Sequence, residues 1–127
     1  MADAIGTFDV QLTPTSAPDA AVGTMAIAKT FHGDLAGTSE GQMLAVRSAV
    51  AGSAGYVAME RVTATLGGKH GSFALQHSGS MDRGEKSLSV TVVPDSGTDD
   101  LVGLTGSMGI EIEDGRHLYR LRYSLPD

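Results

Sequence analysis

The chain has 127 residues, 41% of them hydrophobic, which is enough for one domain with a buried core. It contains no cysteine, and this excludes disulfide bonds, thiolate metal sites and cysteine nucleophiles. A formal net charge of -6 with only nine dispersed Lys and Arg residues argues against a nucleic-acid partner. We therefore expect a single domain over residues 1–127.

Membrane and export signals are also missing from the sequence. The first residues, MADAIGTFDV, contain no basic segment followed by an apolar run, and no later stretch approaches the roughly 20 apolar residues that span a bilayer. We expect a cytoplasmic protein that does not contact the membrane.

The pattern of residues predicts an all-β fold. Seventeen glycines and many Val, Thr, Ser and Ile residues suit strands joined by tight turns. Alternation of apolar and polar residues recurs in blocks of about ten, as in a β-sandwich or a β-barrel. The predicted strands cover residues 4–12, 22–32, 38–50, 56–66, 71–82, 86–93, 103–113 and 116–125, and their connections favour an antiparallel meander.

The second and third predicted strands are joined near Asp34-Leu35. A turn at these two residues pairs Phe31 with Thr38, Lys29 with Glu40, Ile27 with Gln42 and Met25 with Leu44. This register predicts that Lys29, Glu40 and Gln42 lie on the apolar face.

The fourth and fifth predicted strands are joined by a glycine-rich segment, Gly67-Gly68-Lys69, that permits more than one two-residue turn. Either turn keeps His77 on the same face as Phe73 and Leu75, and leaves Gln76 facing outward. If the turn is centred on Gly68-Lys69, Glu60 lies directly opposite His77, with Cβ atoms about 4.5–5.5 Å apart. A one-residue slip would reverse every assignment.

The last two hairpins carry stronger turn signals. Asp114-Gly115 suits a type I′ turn, since both central positions need positive φ, and Arg83-Gly84 acts in the same way. These turns pair Ile112 with His117, Ile110 with Tyr119, Met108 with Leu121, Gly79 with Leu88 and His77 with Val90.

An interior group of polar residues follows from these registers. We predict Glu60 and His77 as catalytic residues, because a carboxylate or imidazole in a cavity of low dielectric constant acts as an acid or a base. The predicted ligand-binding residues are Lys29, Phe31, Glu40, Gln42, Tyr56, Phe73 and Tyr119, with His117 and Tyr123 as further neighbours. The alternatives are a cross-strand ion pair of Lys29 with Glu40, pairing of Glu60 with Arg61 or a loop lysine, and a structural role for His77.

Other kinds of site find little support. The four histidines, His32, His70, His77 and His117, lack the spacing of a zinc signature, so we expect no metal. No Gly-rich phosphate loop or nucleophile elbow is present, and we expect no cofactor.

Several ordered segments carry a family resemblance. They are TFHGDLAGTSEGQM (30–43), GSAGYVAMERVTATL (52–66), GSFALQHSGSM (71–81), SLSVTVVPDSGT (87–98), GLTG (103–106) and IEDGRHLYRLRY (112–123). Together they resemble a bacterial family of small proteins of unknown function that is grouped with the allene-oxide-cyclase-like barrels. The resemblance covers nearly the whole chain from about residue 4.

The resemblance implies an eight-stranded antiparallel barrel that often forms homo-oligomers. Plant allene oxide cyclases isomerise a fatty-acid epoxide inside such a barrel, but no residue here matches their catalytic positions, and a shared fold does not establish a mechanism. Three functions remain open: a lyase, isomerase or cyclase acting on a small apolar molecule, a non-catalytic carrier, and a structural or interaction module with a filled barrel.

Overall fold

The computed structural model describes residues 1–126, and its eight strands form one closed antiparallel barrel. The strands are β1 (Ala2–Pro14), β2 (Gly23–Gly33), β3 (Leu35–Arg47), β4 (Ala54–Leu66), β5 (Lys69–Asp82), β6 (Glu85–Val92), β7 (Thr105–Glu113) and β8 (Arg116–Ser124). Each strand pairs with the next along the chain, and β8 returns to pair with β1. The predicted all-β class, the meander and the eight-stranded barrel are confirmed.

Helical structure is limited to one short turn within residues 1–126. It is a 3₁₀ helix at Asp99–Leu101, in the connection between β6 and β7. No helix in this part of the chain is long and apolar enough to cross a bilayer.

The hairpins with strong turn signals have the predicted registers. Asp114 and Gly115 have φ values of 53° and 77°, and Arg83 and Gly84 have values of 48° and 92°. These positive angles are those of turns that match the twist of the flanking strands. Glu113 consequently lies opposite Arg116, and His77 lies opposite Val90, as predicted.

The hairpin between β2 and β3 differs from the prediction by one residue. Lys29 lies opposite Ser39 rather than Glu40, and Gly33 and Leu35 flank a corner with Asp34 at its tip. The corner is held by long-range contacts: the Ile5 amide donates to the Asp34 carboxylate at 3.0 Å. The predicted pairing of Lys29 with Glu40 is therefore wrong. A register slip of one residue exchanges the inward and outward faces of a strand.

The side chains of Glu40 and Gln42 therefore face outward. Both are exposed, which corrects their predicted interior placement. Ser39 and Gly41 occupy the inward positions of β3 instead, beside β4. The side chain of Ser39 is buried in the barrel.

The hairpin between β4 and β5 turns at Gly67-Gly68, one of the permitted alternatives, with φ values of 56° and 84°. Glu60 accordingly lies opposite Leu75, and His77 lies opposite Ala58, so these two polar residues are diagonal neighbours rather than a direct pair. His77 is buried and Gln76 is exposed. The predicted inward direction of His77 is confirmed.

The two ends of the barrel differ. At the end that holds the β2–β3 and β4–β5 turns, which we call the closed end, the inward residues are fully buried and Leu101 of the 3₁₀ turn covers them. At the other end, the mouth, the inward positions are only partly covered. The mouth is lined by Leu12, Met25, Met43, Tyr56, Met81, Leu88, Ile110 and Ile112.

Candidate functional site

Four polar residues form a buried cluster inside the barrel, between the closed end and the mouth. Glu60 accepts hydrogen bonds from Lys29 Nζ at 2.7 Å, His77 Nε2 at 2.6 Å and Ser39 Oγ at 2.8 Å. The Glu60 side chain is inaccessible to solvent, while Lys29 and His77 retain 7% and 4% exposure. We call Lys29, Ser39, Glu60 and His77 the ion cluster.

Four consecutive strands place the ion cluster. Each of β2, β3, β4 and β5 contributes one inward residue, and the diagonal separation of Glu60 and His77 is within reach of two long side chains. Gly41 leaves the space that Glu60 needs, because a Cβ atom there would lie 2.7 Å from the Cα and Cβ atoms of Glu60. The close approach of β3 and β4 therefore depends on glycine at this position.

The carboxyl group of Glu60 is strongly favoured in its charged form. Burial by itself would raise the pKa of Glu60, but the hydrogen bond from His77, the charge of Lys29 and the hydrogen bonds from Lys29 and Ser39 outweigh burial. Together they lower the pKa of Glu60 from 4.5 to about 2. Glu60 is thus a carboxylate at neutral pH.

This charge fixes the hydrogen on His77. A carboxylate can only accept hydrogen bonds, so Nε2 of His77 carries a hydrogen, and in the neutral form of the ring Nδ1 is the nitrogen with the free lone pair. Within residues 1–126, the only hydrogen-bond partner of the His77 ring is Glu60, yet no buried side-chain nitrogen or oxygen lacks a partner. Nδ1 therefore lies at the small accessible part of the ring.

Aromatic rings surround the ammonium group of Lys29. Its Nζ atom lies 4.8 Å from the centre of the Phe8 ring and 5.9 Å from that of Phe31, distances at which a cation is attracted to the ring face. Phe8 also packs against His117, with ring centres 5.0 Å apart. The cation is held between a carboxylate and two aromatic faces.

The other predicted site residues lie at different depths. Phe31 and Phe73 are fully buried, with Phe73 in the core of the closed end. Tyr119 is also buried, and its hydroxyl oxygen lies 2.9 Å from the Leu35 amide and from the carbonyl oxygens of His32 and Leu35. These contacts hold the β2–β3 corner.

Tyr56 is the predicted ligand-binding residue that lines the mouth. Its ring lies against Gly79, where a side chain would overlap it. Burial, together with the charge of Glu60, raises the pKa of Tyr56 above 10.0, so its hydroxyl stays protonated and able to donate a hydrogen bond. Tyr123, by contrast, borders a surface cleft at the closed end.

Ser39 and Phe8 are site residues that the sequence prediction did not include. Ser39 lies in the alternating run Gly37-x-Ser39-x-Gly41, and glycine inside a strand indicates close approach by another part of the chain. That run was a usable signal for the inner face of β3. Phe8 lies on a predicted strand, but no local pattern places it beside Lys29.

The ion cluster is not arranged as a metal site. Within residues 1–126, no group of three or more His, Asp or Glu side chains is placed to hold a metal ion. The donors around Glu60 are an ammonium group, an imidazole N–H and a hydroxyl, and they already occupy the carboxylate.

Comparison with known proteins places the chain in a family. Residues 4–123 match the family model described as "Protein of unknown function (DUF3224)". The chain belongs to the DUF3224 family. It is also similar to the crystal structure of a protein of unknown function from this family, from Shewanella oneidensis MR-1, with 46% identity and a TM-score of 0.94. That match covers 100% of this chain and 98% of the other. No curated protein matches the sequence.

Proposed function

We propose that this DUF3224 barrel binds a small, largely apolar molecule at its mouth and transfers a proton on it through His77, without a cofactor. The reaction class would be that of a lyase, isomerase or cyclase. The observation that carries the proposal is the position of the ion cluster, in which buried charges lie beneath the partly exposed apolar residues of the mouth. Polar groups at the bottom of an apolar pocket orient a ligand and provide specificity.

The chemistry assigns different roles to the two predicted catalytic residues. Glu60, with a pKa of about 2, is too weak a base to accept a proton at neutral pH. His77 is the proton acceptor through Nδ1, and Glu60 is a positioning residue that holds the ring and stabilises the imidazolium formed. The ammonium group of Lys29 would stabilise negative charge that develops on the ligand.

The residues of the mouth would supply the apolar contacts. Met25, Met43 and Met81 occupy inward positions there, and methionine side chains adapt to irregular ligands. The hydroxyl of Tyr56 would donate a hydrogen bond to a ligand oxygen. The buried ring of Phe31 would act beneath the ligand by supporting Lys29, whereas Phe73 lies in the core of the closed end and would not contact the ligand.

A filled barrel that only uses the ion cluster for structure is the second candidate. It is favoured by the observation that, in residues 1–126, every buried polar side-chain atom has a partner without any ligand. A non-catalytic carrier would use the same mouth but would not need His77 as a base.

One experiment separates these functions. Native mass spectrometry of protein purified from its own source identifies any retained molecule, which is then incubated with the protein in D₂O. We expect deuterium to enter a carbon position of the ligand with wild-type protein and not with His77→Gln. Glutamine keeps an N–H near the Nε2 position but has no basic nitrogen. Gln76→Ala, an exposed change on the same strand, is the matched control.

The alternatives give distinct results. A carrier would bind the ligand without incorporating deuterium, and binding would survive His77→Gln. A filled barrel would retain no molecule, and His77→Gln would change only the free energy of unfolding. Either result would contradict the catalytic proposal.

We also propose that the barrel self-associates through the outer face of β3 and β4. Leu44 and Val57 are cross-strand neighbours on this face, and Val46 and Met59 flank them; each side chain is about half exposed. An exposed group of apolar side chains is typical of an interaction surface. Light scattering should give a mass above 13.1 kDa that falls on Val57→Lys, and a mass of one chain at all concentrations would contradict the proposal.

A further inference from the structure

The barrel wall is nearly open between β6 and β7. These strands share one register pair, Thr91 with Ser107, whereas the other neighbouring strands share between seven and thirteen pairs. From this pair toward the mouth, the two strands run side by side without pairing. We call this gap the seam.

A cleft of about 340 Å³ lies at the seam. Its lining comes from three adjacent strands: Leu88, Ser89 and Val90 of β6, Ser107, Met108 and Gly109 of β7, and Arg120 and Arg122 of β8. Val90 and Met108 point inward and belong to the buried core, whereas the serines and arginines point outward. The cleft therefore joins a polar outer rim to an apolar floor inside the wall.

The rim of the cleft carries two arginines. Arg120 and Arg122 lie two residues apart on the outer face of β8, and both contact the Asp3 carboxylate at 3.3 Å. Asp3 is shared between two guanidinium groups, so a positive charge remains on a protein whose net charge is -6. Ser89 and Ser107 are exposed on the outer face and add two hydroxyl groups to the rim.

We propose that the seam binds a small amphiphile, with its carboxylate or phosphate group held by Arg120 and Arg122 and its apolar body on Leu88, Val90 and Met108. The planar guanidinium group matches both anions in bidentate geometry. The cleft volume lies at the lower end of the range for small-molecule sites. This site adjoins the mouth through Leu88, but it does not depend on catalysis by His77.

The apolar part of the seam favours a small amphiphile over a free anion. A free anion would use the arginines but would leave the side chain of Leu88, which is 43% exposed, in contact with water, whereas an apolar body covers that side chain. Gly109 keeps the cleft open, because a Cβ atom built on it meets no heavy atom within 4 Å.

The test uses the full chain and sodium decanoate as the probe, with isothermal titration calorimetry as the readout. Loss of a charge-assisted hydrogen bond should weaken binding at least tenfold in Arg120→Gln and in Arg122→Gln. Arg61→Gln removes the same charge from the exposed outer face of β4 and should leave binding unchanged. Decyl phosphate should bind in the same way as decanoate.

A second variant fills the cleft without removing charge. Gly109→Leu adds a side chain whose Cβ atom meets no heavy atom within 4 Å, and it should abolish decanoate binding by occupying the cleft. Gly55→Leu, on the outer face of β4, is the matched control because its Cβ atom would make an ordinary contact of 3.8 Å.

Four results would overturn the proposal. They are absence of decanoate binding to the wild type, equal binding of decanol, equal binding of acetate or inorganic phosphate, and binding that survives Gly109→Leu and both arginine variants. In the last case, loss of binding in the mouth variant Met43→Asp would assign decanoate to the mouth. The proposed function would then stand while the seam site failed.

Discussion

Removing the charge of Glu60 should change how the stability of the barrel depends on pH. The pKa of Glu60 is about 2 in the folded protein and 4.5 as its ordinary value. Between these two values, the unfolded state binds a proton that the folded state does not, so stability falls as the pH is lowered through this window. The contribution is fully present above about pH 5, and it is lost as the pH falls to about 2.

The size of the effect follows from the same difference. At 1.36 kcal/mol for each pKa unit, Glu60 contributes about 3 kcal/mol of stability at neutral pH, which is lost between about pH 5 and pH 2. Solvent screening does not reduce this figure, because the Glu60 side chain is fully buried. Glu60→Gln should also cost about 3–5 kcal/mol at pH 7, since it leaves the Lys29 ammonium buried without its counter-charge.

Urea unfolding followed by circular dichroism at several pH values between 2.5 and 7 measures both quantities. The free-energy difference between wild type and Glu60→Gln should narrow by about 3 kcal/mol toward the acid end. Glu40→Gln, an exposed carboxylate change on the adjacent strand, should follow the wild type within about 0.5 kcal/mol. Parallel pH curves for wild type and Glu60→Gln would refute the reasoning.

Three other substitutions test the packing around the site by thermal or urea unfolding. Gly41→Ala should destabilise the barrel by about 1–3 kcal/mol, because the new methyl group overlaps the backbone of β4. Gly55→Ala should be near neutral. Equal effects of the two substitutions would contradict the close approach of β3 and β4 at Gly41. Tyr119→Phe should lower the free energy of unfolding by about 1–3 kcal/mol, because it leaves the buried Leu35 amide unpaired. An unchanged unfolding midpoint would show that the β2–β3 corner does not need this hydrogen bond. Ser39→Ala should cost about 1.5–3 kcal/mol and move the acid transition to higher pH, because it removes a hydrogen bond from the buried carboxylate.

Local turn chemistry accounts for the parts of the fold that the sequence predicts well. Asp114-Gly115 and Arg83-Gly84 need positive φ at both positions, so each fixes the register of its own hairpin. That register places His77 on the inner face correctly. Information held within a few residues is sufficient for these elements.

The error at the β2–β3 hairpin has a long-range cause. The corner at Asp34 is held by the backbone of Ile5 and by Tyr119, residues 29 and 85 positions away in the chain. No dipeptide signal contains those contacts, so the register was predicted one residue from its true position. Ser39 was missed and Glu40 was included for the same reason.

The single register pair at the seam also has a consequence for how the chain folds. Six of the eight strand junctions are extensive pairings between sequence neighbours, which form early because their loops are short. The β1–β8 junction instead joins residues near the two ends of the chain, from Ala2 with Tyr123 to Phe8 with His117. Closing a loop of that length costs about 4 kcal/mol in chain entropy. Because the seam adds little pairing to hold the ring, we expect the β1–β8 junction to form late and cooperatively, as the step that converts a curved sheet into a barrel.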